Sequence, residues 1–116
     1  MVAKGTGDLT LTGSADANWI QGNAGANTIT GGLGNDRLSG GDGADRFVFA
    51  AGDGLDTVTD FELGLDLLDL SATGLGFGDV AIVQSGASAF LYHGDDMIVL
   101  TNTTASSLDQ DDFIFG

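Results

Sequence analysis

From Gly13 onward an apolar residue returns at every ninth position: Ile20, Ile29, Leu38 and Phe47. Between these marks the chain is small, polar and glycine-rich. It divides into four gapless nines, GSADANWIQ, GNAGANTIT, GGLGNDRLS and GGDGADRFV. Position one is glycine in each (Gly13, Gly22, Gly31, Gly40), and position six reads Asn18, Asn27, Asp36, Asp45. After two inserted residues, Phe49 and Ala50, AGDGLDTVT keeps the register with Asp56 and Val58. After Asp60, FELGLDLLD keeps Gly64, Asp66 and Leu68.

Such a period describes a turn followed by a short strand. The glycines supply turn conformations that a Cβ forbids. Positions seven to nine then form an extended stretch with one side chain, at position eight, pointing inward. A three-residue strand is unstable alone and needs like neighbours on each side. Two nines per coil would give two parallel sheets facing each other across a thin core. Successive turns would then fall on opposite edges, stacking Asn18, Asp36 and Asp56 on one and Asn27, Asp45 and Asp66 on the other.

Beyond Val80 the pattern changes from nines to alternation. Val80–Gln84, Ala89–Tyr92 and Met97–Leu100 read as strands, with Gly86 and Gly94-Asp95-Asp96 as turns. The fold class expected is therefore all-β: a parallel β-roll over residues 13–70, then antiparallel hairpins within 71–116 closing its C-terminal end. Residues 1–12 are a lead-in or cap. Ser106-Ser107-Leu108 reads as a short helical turn before a last strand at Phe113–Phe115. The 116 residues suit one domain.

Charge sharpens the picture. Three Lys and Arg stand against 17 acids, for a net charge of −14. Sixteen of the acids are Asp and one is Glu62; a helix-rich acidic protein would favour Glu. With no basic stripe, nucleic acid is excluded as a partner, and an anionic membrane surface is disfavoured. The 42% apolar content separates the chain from disordered acidic tails. Having no Cys, it holds no disulfide. No apolar run reaches transmembrane length, so membrane insertion is not expected. The opening Met1-Val2-Ala3-Lys4-Gly5 reads as a cut inside a longer chain.

Stacking aspartates creates a problem that charge must solve. Carboxylates one strand spacing apart, about 4.8 Å, repel by roughly 3 kcal/mol at an effective dielectric near 20. Lys4, Arg37 and Arg46 are too few and too large to sit in such turns. Ca²⁺ fits, because it accepts six to eight oxygens from carboxylates and backbone carbonyls alike.

These residues carry a family resemblance. GGLGNDRLS and GGDGADRFV are similar to the G-G-x-G-x-D-x-U-x calcium-binding repeat of RTX proteins. GADRFVF, DTVTDF, GLDLLDLSA, GDDMIVL and SSLDQDDFIFG extend the likeness over residues 13–116. The chain resembles the C-terminal domains of serralysin-type proteases and the repeat modules of mannuronan epimerases. That resemblance implies a β-roll holding several Ca²⁺ ions between turns. The implied ligands are Asp36, Asp45 and Asp56, with carbonyls near Gly31, Gly32, Gly34, Gly40, Gly41, Gly43, Gly52 and Gly54. Asp60, Asp66 and Asp69 fit the closing segment. Asn18 and Asn27 depart from the pattern by giving an amide oxygen where the family has a carboxylate; Ser14, Asn23 and Asp16 replace glycines nearby.

The resemblance further implies a bacterial, extracellular protein delivered by a type I secretion apparatus, this region serving as its secretion and folding module. An alternative is an accessory module binding an acidic polysaccharide through Ca²⁺, or a surface-layer segment. No catalytic constellation is expected. Asp95-Asp96 and Asp111-Asp112 are adjacent and so diverge on a strand. His93 reads as a hairpin-turn histidine without a role. Trp19 is expected to pack beneath Leu9 and Leu11 as a lid, with stacking on a sugar as the alternative. Arg37 and Arg46 are expected to be solvated.

Overall fold

The structure, a computed structural model, describes residues 5–115. Met1–Lys4, with one of the three basic residues, and Gly116 of the tail lie outside the described residues. The described residues form eleven strands: β1 (Thr10–Thr12), β2 (Trp19–Gln21), β3 (Thr28–Thr30), β4 (Arg37–Ser39), β5 (Arg46–Ala50), β6 (Leu55–Val58), β7 (Leu67–Ala72), β8 (Val80–Ser85), β9 (Ser88–His93), β10 (Asp96–Leu100) and β11 (Phe113–Ile114).

From β1 to β7, odd and even strands separate as two nines per coil demand. One sheet runs β1-β3-β5-β7-β11 and the other β2-β4-β6-β10-β9-β8. Position-eight residues face one another along each sheet in parallel register, Ile20 to Leu38 to Val58 in one and Ile29 to Phe47 to Leu68 in the other. All six are fully buried. Burying one such side chain contributes about 1.5–3 kcal/mol, so each coil adds stability only when a neighbour covers it.

The lead-in joins the roll. Leu11 of β1 sits opposite Ile29, 18 residues on, so residues 10–12 form the first rung of their sheet. The two-residue insertion after Val48 lengthens β5, and unbroken strand alternation puts Phe49 in the core beside Phe47. The extra residue of the register shift lies on β7, where Asp69 to Ala72 spans Val48 to Ala50.

The C-terminal end is built from both kinds of pairing. β10 pairs with β6 in parallel and extends the roll, while β9 and β8 follow it in antiparallel fashion. β11 adds to β7 in parallel. The closing strands are therefore partly parallel continuations of the two sheets rather than hairpins alone. Phe77, Phe113 and Phe115 cluster over this end, with ring centroids 5.5 to 6.4 Å apart. The expected helical turn is a 3-10 turn at Ala105–Ser107.

Candidate metal centre

The turns between strands line the two edges of the roll, and one hydrogen bond repeats along each. On the first edge the Asn18 N–H donates to Asp36 Oδ1 at 2.8 Å, and the Asp36 N–H donates to Asp56 Oδ1 at 3.0 Å. On the second edge Asn27 donates to Asp45 Oδ1 and Asp45 to Asp66 Oδ1, both at 2.9 Å. Each position-six carboxylate thus spends one oxygen on the backbone of the preceding coil. The stacks Asn18/Asp36/Asp56 and Asn27/Asp45/Asp66 are those the period of nine requires.

The second oxygen is the informative one. Asp36 Oδ2 and Asp45 Oδ2 are buried and have no hydrogen-bond partner among the described residues. Leaving a charged oxygen so costs more than the roughly 1–3 kcal/mol of a neutral unsatisfied group. A Cβ built on Gly31 would lie 2.5 Å from Asp36 Oδ2, and one on Gly40 would collide with Asp45 Oδ2. Position one is therefore glycine because the carboxylate leans over it.

Electrostatics agree with the geometry. Burial, above all, pushes the Asp45 carboxyl up to about 7; the Asn27 N–H pulls it back, and Asp66, Asp60 and Glu62 push it up again. Burial likewise raises Asp56 to about 7, against the Asp36 N–H and with help from the Asp36 and Asp53 charges. Asp36 and Asp66 are also raised, burial again leading. An edge on which several carboxylates resist ionisation is an edge short of positive charge.

Backbone oxygens supply the rest of a cation's shell. Gly32, Gly34, Gly41, Gly43, Gly52 and Gly54 all have φ between 82° and 90°, which only glycine adopts readily. This lets one turn nest against the next. Gly31 O faces Gly13, Gly40 O faces Gly22, and Gly34 O faces Gly54. Among the described residues no three carboxylate or imidazole side chains form a ready-made metal cluster. Any ion in the turns must therefore draw on carbonyls, as Ca²⁺ does readily. The orphaned oxygens and carbonyl-rich turns fit Ca²⁺.

Residues 12–47 match the RTX calcium-binding nonapeptide repeat, in four copies. They are an RTX calcium-binding array. Over nearly its whole length the chain is similar to the AlgE6R2 subunit of the mannuronan C5-epimerase of Azotobacter vinelandii. Identity is 29% and the TM-score 0.68, covering 95% of this chain and 91% of that one. It also shares its fold with part of the extracellular lipase LipA of Serratia marcescens. There the identity is 24% and the TM-score 0.63, over 99% of this chain but 20% of the lipase. No curated protein sequence matches.

The remaining sequence candidates fall into distinct places around the RTX array. Asp60 caps the second edge, its two oxygens accepting the Gly40 and Gly41 N–H groups at 2.9 and 2.8 Å. Asp66 spends its second oxygen on Glu62 N–H. Asp69 stands apart from the turns: it lies within β7, accepts from Ser71, and pairs with Arg46 Nε at 3.6 Å. Arg46 is correspondingly not merely solvated.

The two amides behave unlike the aspartates. Asn27 Oδ1 accepts from the Asn23 N–H at 2.9 Å and its Nδ2 donates to Asn23 Oδ1 at 2.8 Å. Asn18 makes the matching closed set with Ser14. These turns satisfy their own polar groups.

Trp19 does not pack beneath the lead-in. It is two-thirds exposed, 66%, with the Arg37 guanidinium 5.9 Å from its ring centroid. Position seven points outward, and that parity overrides the wish to bury an indole. Asp53 and Asp96 escaped sequence reasoning. Asp96 closes the first edge as Asp60 closes the second, accepting from Gly52 and Gly54 at 2.7 and 3.0 Å. His93, read from sequence as a hairpin-turn histidine, ends β9 beside that turn and is buried. Strand alternation from Ala89 and Leu91 carried the signal.

Proposed function

We propose that this chain is a calcium-dependent folding module of an exported protein, disordered where free Ca²⁺ is scarce and closed into a roll where it is abundant. The observation that carries the reading is the pair of buried, unpartnered oxygens Asp36 Oδ2 and Asp45 Oδ2, one on each edge. Bound Ca²⁺ supplies the positive charge that lets these carboxylates ionise while stacked.

The chain's own residues do the rest. Asp36 and Asp45 hold the preceding coil by its backbone while keeping an oxygen for the ion. Glycines hold their carbonyls between coils. The position-eight side chains then lock the two sheets together. At extracellular millimolar Ca²⁺ and a dissociation constant around 10⁻⁴–10⁻³ M, each ion stabilises the fold by on the order of 1 kcal/mol. Several acting together decide whether the roll forms.

Export by a type I apparatus with this region at its C-terminal end fits the same logic, since a chain held loose by its own charge can be threaded. The extracellular lipase that shares the fold supports a place outside the cell. No helix among the described residues is long and apolar enough to cross a membrane. The experiment is circular dichroism and size exclusion with and without excess chelator. A gain of β-signal and a smaller hydrodynamic radius are expected on adding Ca²⁺. A cooperative fold in chelator, unchanged by Ca²⁺, would refute the proposal.

A second reading, attachment to an acidic polysaccharide through bound Ca²⁺, is favoured by the outward Trp19–Arg37 pair on β2 and β4. The similarity to an epimerase subunit points the same way.

A further inference from the structure

β8, with the sequence VAIVQS, ends its six-stranded sheet and pairs with β9 on one side only. The other sheet ends, β1, β2 and β11, are two or three residues long, so β8 is the longest open edge among the described residues. Natural edges are blunted by charge, proline or a bulge. β8 carries no charged residue, the chain has no proline, and the register with β9 is unbroken. The two-residue loop Gly86-Ala87 makes Ser85 and Ser88 a hydrogen-bonded pair. Alternation then turns the Ile82 and Gln84 N–H groups away from β9, and neither has another backbone partner among the described residues. The Val80 N–H points away as well, to Phe77 O. The 3-10 turn at Ala105–Ser107 packs against both β8 and β9, so it covers their inner face and leaves the edge open.

We propose that β8 is a self-association edge, through which two copies of the folded chain join antiparallel about a two-fold axis at Ile82. Charge selects this occupant. Each copy carries a net charge of −14, so two copies approach most readily where neither presents an acid. A basic peptide, which the rest of the surface would attract, finds no carboxylate on β8 to pair with. The strands behind the edge are also free of acid on their outer face. Val83, Phe90 and Val99 form one outward row across β8, β9 and β10, and Ala81, Tyr92 and Met97 the next; Val83 and Tyr92 are exposed. Keeping these rows on one face of a joined sheet requires residues of like parity to oppose each other. Ile82 then meets Ile82 of the other copy, each donating its N–H to the other's carbonyl, and Gln84 donates to the Val80 carbonyl. Val83 stands beside Ala81 and lengthens the apolar row. The nearest acid, Asp79, falls opposite Ser85 rather than opposite itself. Each copy has one such edge, so the contact closes at two copies. The inference needs the folded roll and nothing about export or glycans.

The test is sedimentation velocity of the Ca²⁺-saturated chain from about 1 μM to about 1 mM, where a short edge contact associates, beside amide exchange by NMR at rising concentration. The sedimentation coefficient should climb toward that of a dimer, and the Ile82 and Gln84 N–H groups should slow in exchange as it does. Val83→Glu sets like charges across the joint and should weaken association at least about tenfold, with the Ca²⁺-dependent circular dichroism kept. Tyr92→Glu, on the same face but one strand further in, should weaken it far less. A chain that sediments as a monomer throughout overturns the proposal. So does a dimer whose Ile82 amide exchanges at the monomer's rate, or one that Tyr92→Glu damages more than Val83→Glu; either result moves the contact off the edge. Because amide exchange is read on the wild type, a variant that fails to fold does not blunt the test.

Discussion

Asn27→Asp converts a self-satisfied turn into one that demands a cation, and its effect can be worked out from the contacts. Asn27 Nδ2 now donates to Asn23 Oδ1 at 2.8 Å. A carboxylate oxygen in its place loses that bond, about 1 kcal/mol, and faces another acceptor. The Asn27 backbone N–H donates to Asp45 Oδ1, so the new charge stands one coil from a carboxylate that burial already pushes up to about 7. Two charges about 4.8 Å apart repel by roughly 3 kcal/mol at an effective dielectric near 20. The cation-free roll should lose about 3–5 kcal/mol, a large share of the stability of a small domain. Calcium should restore most of it, since the turn then carries the same group as the Asp36 and Asp45 turns. The assay is a Ca²⁺ titration by circular dichroism beside thermal melts at one subsaturating Ca²⁺ concentration, comparing Asn27→Asp with the wild type. The variant should need more Ca²⁺ to reach half-folding and fold more steeply with Ca²⁺. Equal melting temperature at that Ca²⁺ concentration together with an equal Ca²⁺ midpoint would show that position six does not set the cation demand.

Two further outcomes follow from the same edges. The raised Asp45 and Asp56 carboxyls, about 7 in the folded chain against an ordinary value of 3.8, mean that the fold holds more protons than the unfolded chain between those limits. Their contribution is fully present below about pH 4 and is lost as pH rises through 7; calcium-stripped protein should therefore be more folded at pH 5 than at pH 8. With Ca²⁺ present the half-folding concentration should instead rise as pH falls, because protons and cation compete, and dichroism across that range checks both signs. For the second reading of function, isothermal titration of uronate oligomers in Ca²⁺ should give heat that Trp19→Ala reduces; no heat with the wild type leaves only the folding role.

Much of the roll was legible because its information is periodic. Ile20, Ile29, Leu38 and Phe47 recur at a spacing that only stacked coils satisfy, and the same spacing places Asp36 and Asp45 on opposite edges. What escaped notice was set by single contacts rather than by the period. Asp69 stands within β7 with Arg46 beside it, a pairing that the period of nine does not announce. Leu11 belongs to the roll although its nine, KGTGDLTLT, has Lys4 at position one and Leu9 at position six; Gly5 and Gly7 keep positions two and four, and one inward apolar residue suffices to pair with β3. His93 was judged by its neighbours in sequence, a turn, when parity along β9 aims it inward. Asp96 could not be seen as an edge cap from sequence because its partners, Gly52 and Gly54, lie more than forty residues earlier.

These contacts also change where the demand for positive charge sits. Were it proportional to the number of position-six carboxylates, it would rise steadily toward the C-terminal end. The structure divides the edges differently. At the entry, Asn18 and Asn27 close their turns with amide hydrogen bonds. At the exit, Asp60 and Asp96 spend both oxygens on glycine N–H groups, and Asp66 both of its own on backbone N–H groups. Between them stand Asp36 and Asp45, each with a buried oxygen that no described residue hydrogen-bonds. Those two residues flank Leu38 of β4 and precede Phe47 of β5, the strands that join the entry rungs to the rest of each sheet. A cation held there bridges the self-sufficient entry turns to the protein-capped exit, so its loss should uncouple the two halves of the roll before it melts either one.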